Sequence, residues 1–205
     1  MNSFFEYVQR GGVMMYPLIL CSIILIGIAV ERAITLRRNA TDPDELLDKI
    51  KELYEPGQDP EAAIRWAEHE GSLGRIFARG LRNAARNADS IEMAMEQEAA
   101  NEIPTLEANL PVIKTIVNIA PLLGLLGTIA GMIMSFQAAS RTGLSNPTQI
   151  LGGISEALIS TATGITLAVV GFVVYNYFAN LVKKMIEDIE FYGAELVNHL
   201  TGRLD

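Results

Sequence analysis

The sequence has little of what most site chemistry requires. It holds one cysteine, Cys21, two histidines and one tryptophan. A lone cysteine leaves no intrachain disulfide to form, so nothing about redox compartment can be read from it. His69 and His199 stand in charged segments with no cysteine nearby and no second histidine one helical turn away, so the spacing of a metal site is missing. Charged residues are only 20% of the chain, with 24 acidic against 16 basic side chains and a formal net charge of −8. That balance argues against a nucleic-acid binder held by phosphate contacts. No His-Glu-x-x-His motif is present, and no aspartate pair or Ser–His couple stands inside an apolar run. The glycine-rich stretch 124–131, GLLGTIAG, lacks the Gly-Lys-Ser/Thr of a phosphate loop. These absences point away from an enzyme and imply no cofactor.

What the chain does have is apolar mass in blocks. Half of its residues are hydrophobic, and they concentrate in three uncharged runs separated by charged segments, a pattern of membrane proteins. The first run, 11–30, is about 20 residues long, enough to cross a bilayer core as a helix. It is too long for the apolar part of a signal peptide, and Glu31-Arg32 follows where small cleavage-site residues would stand. We read 13–30 as transmembrane helix one, with Pro17 in its first turn, where a missing N–H costs least. Residues 1–12 mix aromatics with Glu6 and Arg10 and read as a short interfacial, periplasmic segment.

Residues 31–114 read as a cytoplasmic helical domain. Asp42-Pro43 and Asp59-Pro60 each place a capping residue before a proline. Leu46, Leu47, Ile50, Leu53 and Tyr54 then recur at helical spacing until Pro56-Gly57. Another helix is predicted over 72–87, and Asp89-Ser90 is expected to cap the next. The stripes are narrow, as in a small bundle that packs on itself or on neighbouring copies.

The second membrane helix is expected over 115–140. At 100° per residue, Ala120, Gly124, Gly127, Thr128, Gly131, Ser135 and Ala138 fall within an arc of roughly 100°. A face this small lets transmembrane helices approach closely. Packing accounts for the glycines; for Thr128, packing and pore lining both stand.

A polar link, 141–149, leads to the third span, 150–182, which continues as a cytoplasmic C-terminal helix, 183–205. After Glu156 no charge occurs until Lys183. If Tyr177 marks the inner interface, a core of about 30 Å at 1.5 Å per residue places the outer boundary near Ala157. Glu156 is then a rim carboxylate, and an acid so placed is a pathway candidate. It shares an arc of about 60° with Ser160 and Thr163, beside a small face that includes Thr161 and Gly164. Thr161 lies about 140° from Glu156. Either the lining face is broad, or one of the two faces a neighbouring helix. Arg32, Arg37 and Arg38 after the first run and Lys183-Lys184 after the third put both ends in the cytoplasm. The N-terminus is then periplasmic and the C-terminus cytoplasmic.

Two stretches carry a family resemblance: APLLGLLGTIAGM at 120–132, and GISEALIST at 153–161 continuing to Tyr175-Asn176. They resemble the MotA/TolQ/ExbB proton-channel family, closest to its ExbB/TolQ branch, specifically over roughly 105–180. The resemblance implies an all-α, three-span protein of the bacterial inner membrane. It implies a homopentamer around a dimer of an ExbD/TolR-like single-span partner, whose membrane aspartate titrates, passing work to a TonB- or TolA-like protein. By motif, Thr128, Glu156 and Thr161 match the polar residues facing the lumen. Gly124, Gly127, Gly131, Ser135, Ser160, Thr163 and Gly164 are secondary candidates for lumen or helix packing. The coupling ion is expected to be H⁺, with Na⁺ also compatible with a hydroxyl lining. Val170 stands where the family commonly has proline, which puts a hinge there in doubt. The rival reading is a passive oligomeric scaffold whose polar residues only glue helices together.

Overall fold

The computed structural model describes residues 7, 8, 10–142 and 147–202. The rest of the N-terminal segment, the middle of the 141–149 link and residues 203–205 lie outside the described residues. The described chain is helical, without strands, and three of its helices are long and apolar enough to cross a membrane.

Seven helices follow in order: α1 Met15–Asn39, α2 Pro43–Leu53, α3 Glu61–Ala67, α4 Gly71–Leu81, α5 Ala88–Glu107, α6 Leu110–Thr142 and α7 Pro147–Thr201. They divide into two units. The first comprises 1–30 and 109–177, the second 31–108 and 178–205, so α1 and α7 each contribute to both.

In the first unit the spans expose their bulk. Leu122, Leu125, Ile129, Met132 and Phe136 of α6 all lie outward, as do Leu158, Val169 and Val173 of α7. Buried here are small residues between α6 and α7, a few large ones such as Leu25, Ile113 and Ile116, and a cluster of Met15, Leu18 and Ala120, packed by Leu123, Ile159 and Leu167. An apolar exterior over a small-residue interior suits lipid as solvent.

The second unit inverts this rule. Phe77, Leu46, Ile50, Ile76, Leu81, Ile91 and Leu196 are fully buried, drawn from α2, α4, α5 and the end of α7. Local chemistry sets the helix ends. Asp42 accepts from the amides of Asp44 and Glu45 ahead of Pro43, as expected. At α3 the cap moves by one: Pro60 occupies the cap position and Asp59 Oδ1 accepts from the Glu61 amide at 3.1 Å.

The helix predicted over 72–87 ends early. Asn83 Nδ2 donates to the Arg79 carbonyl at 2.9 Å, and tighter turn bonds replace the helical ladder there. Asn87, rather than Asp89-Ser90, caps α5, its side chain accepting from the Ser90 amide at 3.0 Å.

Between α5 and α6 the backbone breaks at Ala108, ψ 145, and Asn109, φ 61. Asparagine tolerates that left-handed conformation better than most residues. The last carbonyls of α5 are not left bare. Arg32, only 3% exposed, donates from Nη1 to the carbonyls of Thr105 and Leu106 at 3.0 and 3.2 Å, while Glu31 holds its other edge. Arg32, read from the sequence as a topological charge, therefore caps a helix.

Through the third span the helix is continuous. No break occurs at Val170, and α7 runs 55 residues from Pro147 to Thr201.

Candidate functional site

The seam between α6 and the first half of α7 is made of residues without bulk. A methyl added at Gly124 would meet the Ser160 carbonyl and Thr161 Cα, both at 3.1 Å. One at Gly131 would run into the Gly153 carbonyl, and one at Gly164 into the Ala120 carbonyl. These obstacles are backbone, which cannot swing aside as a side-chain tip can. Helix contact this close is the use of small faces in membranes. Six of the secondary candidates, Gly124, Gly127, Gly131, Ser135, Ser160 and Gly164, therefore lie in the seam between two helices of one chain.

Hydroxyls stitch that seam. Ser135, 4% exposed, donates to the Gly131 carbonyl at 3.1 Å and to the Ile150 carbonyl across the seam at 2.9 Å. Thr161 Oγ1 donates to the Gly124 carbonyl at 3.0 Å. Ser160 differs. It is fully buried, its Oγ has no hydrogen-bond partner, and it sits where a Gly127 side chain would be.

The three principal residues do not form one group within a chain. Thr128 is half-buried, and its Oγ1 donates to the Leu125 carbonyl at 2.6 Å. One turn earlier on α6 stands the Gly124 carbonyl that receives Thr161, so Thr128 and Thr161 belong to one side of the helix pair. Glu156 belongs to another. Its carboxylate lies against Gly12, whose φ of 71° suits glycine and where a Cβ would push Oε1 aside. Thr163 faces the same way: it donates to the Ile159 carbonyl at 2.8 Å, and its hydroxyl lies 3.3 Å from that of Tyr7. Glu156 and Thr161 thus touch different neighbours in the chain, the second of the two arrangements open from spacing alone.

Sequence reasoning missed Gly12, because nothing in a run of glycines names the acid that will rest on one. It also passed over Ser155, which is exposed on α7 beside Leu158. A helical wheel drawn for outward polar residues would have found it.

Away from the spans, one polar cluster is tightly organised. Arg75 grips Glu102 with two parallel bonds of 2.6 Å and also donates to Asn39 Oδ1 and Ser72 Oγ at 3.0 and 3.2 Å. The Arg75 hydrogen bonds hold the Glu102 carboxyl below the usual carboxylate range and, reciprocally, raise Arg75. Tyr192 donates to Asp44 at 2.7 Å, and that bond pushes its phenol up to about 12. These contacts tie helices together and expose no nucleophile.

Chemically, hydroxyls satisfied by helix carbonyls keep lone pairs free to receive a proton or a hydrated cation, but they do not titrate near neutral pH. Between Arg141 and Lys183 the chain offers one carboxylate, Glu156. It can line an ion path, yet it lacks a second acid with which to relay a proton.

Three long apolar helices joined through a small-residue seam define a multi-pass, all-helical membrane protein. Its residues 68–191 match the model of the MotA/TolQ/ExbB proton channel family, and the chain belongs to that family. A biopolymer transport protein of Synechocystis sp., ExbB-like 1, is 32% identical over 192 residues, covering 91% of this chain and 75% of the relative. ExbB-like 3 from the same organism is 31% identical over 177 residues, covering 84% and 83%. The Tol-Pal system protein TolQ of Pseudomonas aeruginosa is 28% identical over 148 residues, covering 65% and 64%. The family is a channel and transport component, as the resemblance of the two motifs implied.

Proposed function

We propose that this chain is the channel subunit of a membrane motor driven by an ion gradient, in the manner of ExbB and TolQ. Five copies surround a pair of single-span helices from an ExbD/TolR-like partner, and the ion, H⁺ in the first instance, passes between them. Work goes on to a TonB- or TolA-like protein. The chain lies in the inner membrane with its N-terminus periplasmic and its C-terminus cytoplasmic, following the arginines after the first span. Thr128, Glu156 and Thr161 line the path, and the deep titrating carboxylate comes from the partner.

The observation that carries this reading is the family match over 68–191, which includes all three residues. The scarcity of acids supports it, since one rim glutamate cannot move protons across a bilayer unaided. Co-expression with a single-span partner bearing a membrane aspartate, followed by ion flux in vesicles, tests it. Glu156→Ala and Thr161→Val should each abolish flux while the oligomer still assembles. Full flux in both variants would overturn the pathway role.

One observation favours a second reading. Thr161 and Ser135 each bond a carbonyl of the facing helix, as structural glue would. A scaffold of that kind predicts that Thr161→Val weakens the oligomer and that flux falls only in proportion to assembly.

A further inference from the structure

In the second unit, helix α5 separates two surfaces of opposite charge. On one side lies a groove of about 520 Å³ between α5 and the end of α7. Met95, Ala99, Ile189, Gly193 and Val197 form its floor, and Glu92, Glu96 and Glu190 rim it, with no lysine or arginine among the lining residues. On the other side is a cleft of about 340 Å³ holding Arg79 and Arg86 around Met93, and no carboxylate. On a helical wheel the α5 residues of the two surfaces centre about 150° apart. They occupy the same turns of the helix, with residues 92–103 facing the groove and 90–97 the cleft.

Both surfaces are unfinished. The three rim glutamates are exposed, and no ion pair engages them among the described residues. Arg75 and Arg82 of the same region are paired, with Glu102 and Glu68. Arg79 lies between this cleft and one it shares with Glu68 and Glu98, whereas Arg86 is exposed and enters no ion pair among the described residues. Met93 is 61% exposed, one of few large apolar side chains left outward in this unit. In a chain of net charge −8, a cleft lined by arginine and no acid is a departure that self-repulsion does not explain.

We infer that these two faces are halves of one head-to-tail contact between copies of this chain. The arginine cleft of one copy meets the glutamate rim of the next, and Met93 enters the groove over Ala99 and Val197. A second copy is the occupant because this chain carries both halves. A single copy cannot close the contact on itself, since the halves lie on opposite sides of one helix. A contact between two different faces closes into a ring where its rotation divides a full turn. The inference rests on the oligomeric reading above and adds the surface that sets its order.

Cross-linking in membranes tests it on the full chain, with Cys21→Ser removing the native thiol. Two tagged versions are co-expressed, one carrying Met93→Cys and the other Ala194→Cys on the groove lining. Oxidation should join the two tags, while each variant expressed alone should give no cross-linked dimer. Arg86→Glu or Glu96→Arg in one copy should lower the yield about tenfold through like-charge contact. Combining Arg86→Glu in one copy with Glu96→Arg in the other should restore it. An intact oligomer with no joined tags would overturn the head-to-tail contact and leave the oligomeric reading standing. Self-linking of Met93→Cys would overturn it in favour of a two-fold contact. Linkage of Ala194→Cys to another, basic protein instead would give the groove to that partner. Loss of any oligomer in the unaltered chain would overturn both readings together.

Discussion

The two units solve opposite problems with the same helix. In the membrane unit, Leu122, Ile129 and Phe136 face out, and glycine, alanine and serine close the seam between α6 and α7. In the other, glutamate and arginine face out, and Phe77, Ile76 and Leu196 face in. Water drives the second arrangement, because burying a large apolar side chain contributes about 1.5–3 kcal/mol there. Lipid offers no such gain, so the spans depend on how near two backbones can come. The units should therefore fail under different substitutions.

The largest effect is expected at Gly131→Leu. Its side chain would have to displace the Gly153 carbonyl and Ala157, so α6 and α7 should separate. Loss of assembled protein in detergent extracts checks this, and a normal oligomer would show that the seam is not the contact we describe. In the other unit Phe77→Ala opens a cavity and should cost about 3–5 kcal/mol, read by denaturant melts of the second unit's helices. The same substitution at exposed Phe136 should change little.

A third prediction concerns Gly12→Ala. The left-handed backbone alone costs an alanine about 1–2 kcal/mol, and the new methyl displaces the Glu156 carboxylate. Ion flux should fall while assembly is kept, and Glu156→Asp, one methylene shorter, should recover part of it. Equal loss with and without Glu156→Asp would reduce Gly12 to a turn residue.

The smallest effects are electrostatic, confined to the second unit, and of opposite sign in pH. Glu102 is held below its unfolded pKa, so its contribution is present above that value and lost as pH falls through the lowered one. Arg75→Ala should remove that acid dependence at a cost of no more than about 1 kcal/mol. Tyr192 is raised to about 12, so its contribution is present below about 10, the phenol's ordinary value, and lost between there and 12. Tyr192→Phe should abolish the alkaline loss and leave acid stability unchanged. Melts at graded pH check both.

Much of this was legible in the residues. The uncharged runs, the small arc on the second span and the Asp42-Pro43 cap each follow from local spacing; three long apolar helices and the Asp42 cap are there, whereas the caps expected at Asp59 and at Asp89-Ser90 moved to Pro60 and Asn87. Contacts between distant residues were not. Arg32 reads as a topological charge until Thr105 and Leu106 are seen to end a helix beside it. Arg75 and Glu102 are 27 positions apart in the chain, with nothing in the sequence to join them. The 140° between Glu156 and Thr161 was available, but which neighbour each would touch depended on where the N-terminal turn packs. The break at Asn109 left a trace in Pro111 two residues on.

The unbroken third helix has a mechanical consequence. Its 55 residues make a rod roughly 80 Å long, with no proline after the first position to act as a joint. A tilt of about 5° at one end displaces the other by roughly 7 Å, more than one helical pitch. A helix without a joint has no bend to absorb such a tilt and carries it to its tip as leverage.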